Sequence, residues 1–431
     1  MLNKFFNYKI LPITVLLLHM LVFFYLRYFY LLEYPEASYV YYKVSAHPHY
    51  MLEETIFVYS FLIFLFIVGY LLAISLFKDT ERQTVVKRQN NYKDFFEYAF
   101  YFSILLSLFR IFVLGEVMGG EGRSGIFKYL FFLDWILSLK LLYLYLLINE
   151  KLFLKKVFYT ILIVFTIIVS GMKDGIIIPI LTIFFIYLYK NNNIKIKYFF
   201  YIFSGLVLVV LSFPFVFQIV NEIRATGSLG IDKIVMNIDN TFNSYMPLLN
   251  KVIQYIYYRL SLVEELQVML QYYDKIDRDK INMLTFIVHI YNAFVPSFME
   301  SSTWYYNYAG NRIYPIVFFG MGLDIQSSEA LTIPGLFVFY FGWFSPLYIM
   351  LFGSFMGYIY MKLTRLKNAV LSSYFSIYFL MVFFKFIQAA SIEHLATAVK
   401  ESVSFLILLF IAKIFMQTFK KRRIHQNTSM A

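Results

Sequence analysis

The chain has no cysteine in its 431 residues. That excludes disulfides, thiolate metal sites and a cysteine nucleophile. It is also short of charge. Only 15% of its residues are Asp, Glu, Lys or Arg, against about a quarter in an ordinary soluble domain. Three signatures of chemistry are missing: no HExxH, no glycine-rich phosphate loop and no Gly-x-Ser-x-Gly elbow. Their absence predicts a protein that works without metal, ATP or another cofactor. No internal repeat is visible, which counts against the repeat-built transporters. No A-x-A site follows the first apolar run, so that run reads as a retained span and not as a signal peptide.

What is present is hydrophobic. Apolar residues make up 60% of the chain, mean hydropathy is +0.66, and Phe and Tyr number 51 and 39. A membrane span needs roughly 20 apolar residues. Ten runs qualify as expected spans, near Ile10–Tyr30, Thr55–Phe77, Phe95–Leu114, Phe127–Leu147, Phe153–Ser170, Gly175–Tyr189, Tyr198–Val220, Leu331–Tyr360, Leu371–Ala389 and Ser402–Phe419. The eighth is long enough to tilt or to begin outside the bilayer. The expected fold is therefore an all-α integral membrane protein of about ten spans. The net charge of +12 does not point to nucleic acid. Its cations sit at the ends of spans, where they orient the chain and meet anionic lipid.

Lys and Arg also set the expected topology. They crowd the segments on the side of the N-terminus, such as Lys78 to Lys93, Lys151 to Lys156, Lys190 to Lys197, Lys362 to Lys367 and Lys420 to Arg423. The short segments on the other side hold few: Lys43, Arg123, Lys128, Lys173 and Lys400. Positive charge stays in the cytoplasm, so both termini are expected inside. Three regions follow. Residues 1–220 form a seven-span bundle, 221–330 a large extracytoplasmic domain, and 331–431 a three-span bundle with a basic tail. Within the outer domain, 232–269 carries apolar residues at helical spacing. Ile281 to Phe298 is apolar but short for a span. It reads as a core helix of that domain, or as an interfacial or re-entrant one.

Ionisable groups at membrane depth cost roughly 2.5–3.5 kcal/mol each, so each needs a reason. Arg27 and Arg110 lie near the outer ends of their spans, where snorkelling would explain them. Asp134 and Lys140 fall on different helix faces and should not pair; Lys385 is the candidate partner for Asp134, expected to be structural. The run Ser170-Gly171-Met172-Lys173-Asp174-Gly175 reads as a capped tight turn. Alternatively, its Lys173 reaches an anionic headgroup. Asp277-Arg278-Asp279 resembles a metal motif only superficially and reads as a solvated charged turn. In the outer domain Arg224, Arg259 and Arg312 are each capping or surface residues, or ligands of phosphate, which a guanidinium fork matches. Proton acceptors are Glu264, Glu265, His289, Asp324, Glu329, Glu393 and His394. Spacing singles out none of them.

From Ser327 the chain reads Ser-Ser-Glu-Ala-Leu-Thr-Ile-Pro-Gly-Leu-Phe, then Tyr340-Phe341-Gly342-Trp343 and on to Gly353-Ser354-Phe355-Met356-Gly357. This resembles the oligosaccharide repeat-unit (O-antigen, Wzy-type) polymerases. Ser170-Gly171-Met172-Lys173 is similar to their Ser-Gly-x-Arg turn, with the charge kept and the fork lost. The resemblance implies a helical membrane architecture similar to GT-C-type glycosyltransferases. It also implies polymerisation of polyprenyl-pyrophosphate-linked repeat units at the periplasmic face of a bacterial inner membrane. Donor and acceptor are both lipid-linked, and a flippase and a chain-length regulator are partners. On this reading Arg312, Arg224, Glu265, His394 and Glu393 are catalytic. Arg259, Lys173, Arg123, Tyr258, Tyr314 and His289 hold pyrophosphate or glycan. Two other readings share the architecture: a lipid-linked-oligosaccharide flippase and an O-antigen ligase. A membrane O-acyltransferase is disfavoured, because His19, His47 and His49 lack the expected context.

Overall fold

The structure is a computed structural model. It describes residues 8–34, 51–77, 92–112, 137–170, 177–190, 204, 207, 210–222, 241–294 and 331–429. No strand occurs among them. The helices are α1 (Tyr8–Glu33), α2 (Leu52–Ser75), α3 (Lys93–Phe112), α4 (Leu139–Asn149), α5 (Phe153–Val169), α6 (Ile177–Lys190) and α7 (Val210–Glu222). They continue as α8 (Tyr245–Ser261), α9 (Val263–Gln271), α10 (Met283–Phe294), α11 (Ile333–Phe341), α12 (Ser345–Thr364), α13 (Ala369–Gln388) and α14 (Ile392–Ser429).

Among the described residues five helical stretches are long and apolar enough to cross a membrane: Tyr8–Glu33, Leu52–Ser75, Ile333–Thr364, Ala369–Gln388 and His394–Thr418. Each overlaps an expected span. The expected long eighth span is two helices. α11 and α12 are joined through a short turn, Gly342–Phe344, and together run over 32 residues. α10 has 12 residues, well short of the roughly 20 a crossing needs.

Two compact units emerge. The first comprises Met1–Gln83, Ile253–Leu366 and Phe379–Ala398. Its spine is α2 packed along α12. Three glycines make that approach close. A Cβ on Gly69 would lie 2.0 Å from the Met350 carbonyl oxygen, and one on Gly353 would lie 2.1 Å from that of Phe66. At Gly357 the Tyr70 carbonyl would be 2.8 Å away. Ser354 then donates to the Gly69 carbonyl at 2.9 Å. Small residues at a helix contact are how membrane helices associate when no hydrophobic force drives them together. α1 joins this pair through Phe24, stacked on Tyr59 with ring centres 3.6 Å apart, and through Tyr25, bonded to Ser60 at 2.8 Å.

The second unit comprises Thr84–Val252, Lys367–Tyr378 and Val399–Ala431. α4 is its centre. Every residue from Leu141 to Asn149 is buried, as expected of a helix that is apolar all round. Phe96 packs on Tyr145, and Tyr374 stacks on Phe405, each at 4.1 Å. Two carboxylates of this unit have partners. Glu97 accepts from the Tyr101 hydroxyl at 3.0 Å and from Lys155 at 3.2 Å. Lys140 faces Glu401 at 3.9 Å, and Tyr378 donates to Glu401 at 2.5 Å. Lys140 therefore has a carboxylate partner that spacing alone does not reveal. Asp134 lies outside the described residues.

Candidate functional site

The motif helix α11 organises the first unit. Thr332 caps it: its hydroxyl oxygen accepts from the Gly335 amide at 2.9 Å, with Pro334 in the first turn. This is a well-formed helix start, since proline there loses no intrahelical bond. Every residue from Ile333 to Tyr340 is buried. α9 packs on its beginning. A Cβ on Gly335 would meet the Met269 methyl at 3.3 Å and Leu266 at 3.8 Å. α10 packs further along, where the Tyr340 hydroxyl and His289 Nδ1 are 2.5 Å apart. His289 is buried, and its helix also brings Phe286 against the Tyr340 ring at 5.1 Å.

The charged centre of this unit is at the start of α9. Leu262, between α8 and α9, has φ +53. A bulky residue in the left-handed region is strained, and such strain persists where the surroundings impose it. The bend starts a new helix whose first turn carries Glu264 and Glu265, 0% and 1% exposed. Carboxylates are favourable at a helix N-terminus. Arg27 supplies the opposing charge: its Nε and Nη2 donate to one Glu264 oxygen at 3.2 and 2.5 Å. Arg27 follows a π-helical segment, Met20–Tyr25, a local widening of the helix that is frequent at functional sites. Arg27 is only 4% exposed, so it does not snorkel. It turns inward to a carboxylate 237 residues away in sequence. Neither Arg27 nor Tyr340 stands out as a site residue from sequence, because each partner is remote along the chain.

Arg278 is the other correction. It is not a solvated turn residue. Its guanidinium donates to the Phe339 and Val338 carbonyls at 2.8 and 3.3 Å, closing the C-terminal end of α11. It also lies over the Tyr273 ring at 4.6 Å. Burial pushes its pKa down, while Tyr273 opposes that shift. The neighbouring Asp277 pairs with Lys280 at 2.7 Å on the exposed side of the same turn.

Of the sequence-predicted site residues with described side chains, Glu265, His289 and His394 fall in this unit, the first two on helices that both pack against α11. His394 is exposed near the start of α14, and Glu393 lies in the same helical turn, its side chain outside the described set. Arg259 and Tyr258 are on α8, also with side chains outside that set. Arg312, Arg224, Lys173, Arg123 and Tyr314 lie outside the described residues. Among the described residues no cluster of three or more His, Asp or Glu side chains comes together to hold a metal. No family model, curated protein or solved structure matches this chain.

Proposed function

We propose that this protein is a membrane glycosyltransferase that polymerises polyprenyl-pyrophosphate-linked oligosaccharide repeat units into a surface polysaccharide of the O-antigen kind. The observation that carries the reading is the pair of buried carboxylates opening α9, set against the Thr-Ile-Pro-Gly start of α11. Ionisable groups kept inside an apolar membrane protein are functional-site candidates. Glu265, in the same helical turn as the Arg27-paired Glu264, is the group assigned as base.

The reaction follows from those roles. The acceptor hydroxyl gives its proton to Glu265 as its oxygen bonds to the anomeric carbon. The bond from that carbon to the pyrophosphate oxygen breaks, and polyprenyl pyrophosphate leaves with the electron pair. Arg224, Arg312, Arg259 and Lys173 bind the departing charge. Glu393 and His394 are further acceptors, and Arg123, Tyr258, Tyr314 and His289 line the glycan path. The same reading takes ten spans, both termini in the cytoplasm of a bacterial inner membrane, and chemistry on the periplasmic side. A flippase would supply the lipid-linked unit and a chain-length regulator would set when growth stops.

The test of the base is Glu265→Gln in purified protein given a synthetic lipid-linked repeat unit. Polymer formation should fall at least about a hundredfold, the usual worth of a general base, with the melting temperature held near wild type. Undiminished polymer from that variant removes Glu265 from the role.

A further inference from the structure

α2 and α12 end together. The end of α2 and the second half of α12 frame a groove of about 390 Å³ lined by Leu72, Ala73, Ser75, Leu76, Ser354, Phe355 and Tyr358. Its two serines do not make it polar. Ser354 donates to the Gly69 and Met350 carbonyls at 2.9 and 3.1 Å, and Ser75 to the Leu72 carbonyl at 2.7 Å. Apart from the Tyr358 hydroxyl, the lining that remains is hydrocarbon. None of the lining residues is acidic. The rim carries two cations on an aromatic shelf. Lys362 Nζ lies 5.3 Å from the Tyr358 ring, and the Arg365 guanidinium lies 4.8 Å from the Phe77 ring. The two rings are 5.7 Å apart. Lys362 is exposed and Arg365 half-buried.

The depths fit one kind of ligand. Both helices are membrane-crossing by length and composition, and they stop at this point. An apolar groove that runs into the bilayer, with cations where the helices leave it, matches a lipid with one chain in the groove and a negative headgroup above. Charge complementarity selects an anionic headgroup over a zwitterionic one. A groove of this size suits a single acyl chain better than a long isoprenoid.

We infer that the shared end of α2 and α12 is a binding site for an anionic glycerophospholipid. An acyl chain lies along Leu72, Leu76 and Phe355, and the phosphate sits between Lys362 and Arg365. This site is separate from the proposed glycosyl-transfer residues and does not depend on that assignment.

The test uses delipidated protein in detergent, titrated with phosphatidylglycerol or phosphatidylcholine and followed by native mass spectrometry. One phosphatidylglycerol should bind in preference to phosphatidylcholine. Lys362→Gln and Arg365→Gln should each weaken it about fivefold, from roughly 1 kcal/mol per surface cation. Ser75→Phe, which fills the groove from an exposed position and leaves both cations in place, should weaken both lipids. Equal binding of the two lipids, or binding unchanged by all three substitutions, overturns the site. Tighter binding of polyprenyl phosphate than of phosphatidylglycerol overturns the glycerophospholipid assignment.

Discussion

Arg27 holds the buried Glu264 carboxylate of the first unit. Replacing it with methionine leaves the Glu264 side chain buried without its partner, and breaking a buried pair in this way typically costs about 3–5 kcal/mol. Replacing both, Arg27→Met with Glu264→Leu, should recover most of that loss, because a well-packed apolar pair can match a buried ion pair. A double-mutant cycle on unfolding in detergent measures the difference, and single-variant losses below about 1 kcal/mol would show the pair to be solvated. Gly342 is constrained twice. Its φ is +53, and a Cβ there would lie 2.5 Å from the Tyr273 hydroxyl. Gly342→Ala should therefore destabilise by more than about 1 kcal/mol, read as a lowered melting temperature. Glu150, in the second unit, titrates in a direction that can be tested. Burial opposes its ionisation, but Lys93 at 2.6 Å and the Leu152 and Lys151 amides outweigh that and bring its pKa down from 4.5 to about 2. A lowered folded pKa gives stability that is present above pH 4.5 and lost as pH falls towards 2. Glu150→Gln should remove that part of the acid dependence of melting. A wild-type curve and a variant curve with the same slope between those values would contradict the assignment.

Among the helices, the tightest contact is that of α2 with α12, and it orders a series of substitutions. Alanine at Gly353 or Gly69 would place a Cβ about 2 Å from a backbone carbonyl, so the helices must separate. Alanine at Gly357 would meet the Tyr70 carbonyl at 2.8 Å and needs a smaller shift. Overpacking of this kind costs typically about 1–3 kcal/mol. Melting temperatures should fall most for Gly69→Ala and Gly353→Ala and least for Gly357→Ala; the reverse order would mean that the helices are not held at this distance. The sequence shows why elements of this type are easy to anticipate. The runs behind α1, α2 and α13 are long and apolar, and their observed ends fall within a few residues of the expected ones. The break at Gly342 is less legible. A continuous apolar run hides a turn that depends on Tyr273 and Arg278, residues far upstream.

For the whole molecule, what sequence conveys well is its solvent. Composition and apolar periodicity identify a helical membrane protein. They do not convey how the chain assembles: each compact unit draws on three separated stretches, and no local pattern encodes that. The same holds for the candidate site. Glu265 and His289 are recognisable as proton acceptors, but the burial of one and the tyrosine partner of the other arise from packing against α11. Arg27 with Glu264 and Lys140 with Glu401 are pairings between remote positions, which spacing on one helix cannot reveal. The central claim is glycosyl polymerisation, and one measurement addresses it directly. Purified protein in nanodiscs receives a polyprenyl-pyrophosphate-linked repeat unit and nothing else, and the products are resolved on a gel. The account predicts a ladder of glycans growing by whole repeat units. No ladder, together with movement of the same lipid across the bilayer of proteoliposomes, would contradict it and make the protein a transporter.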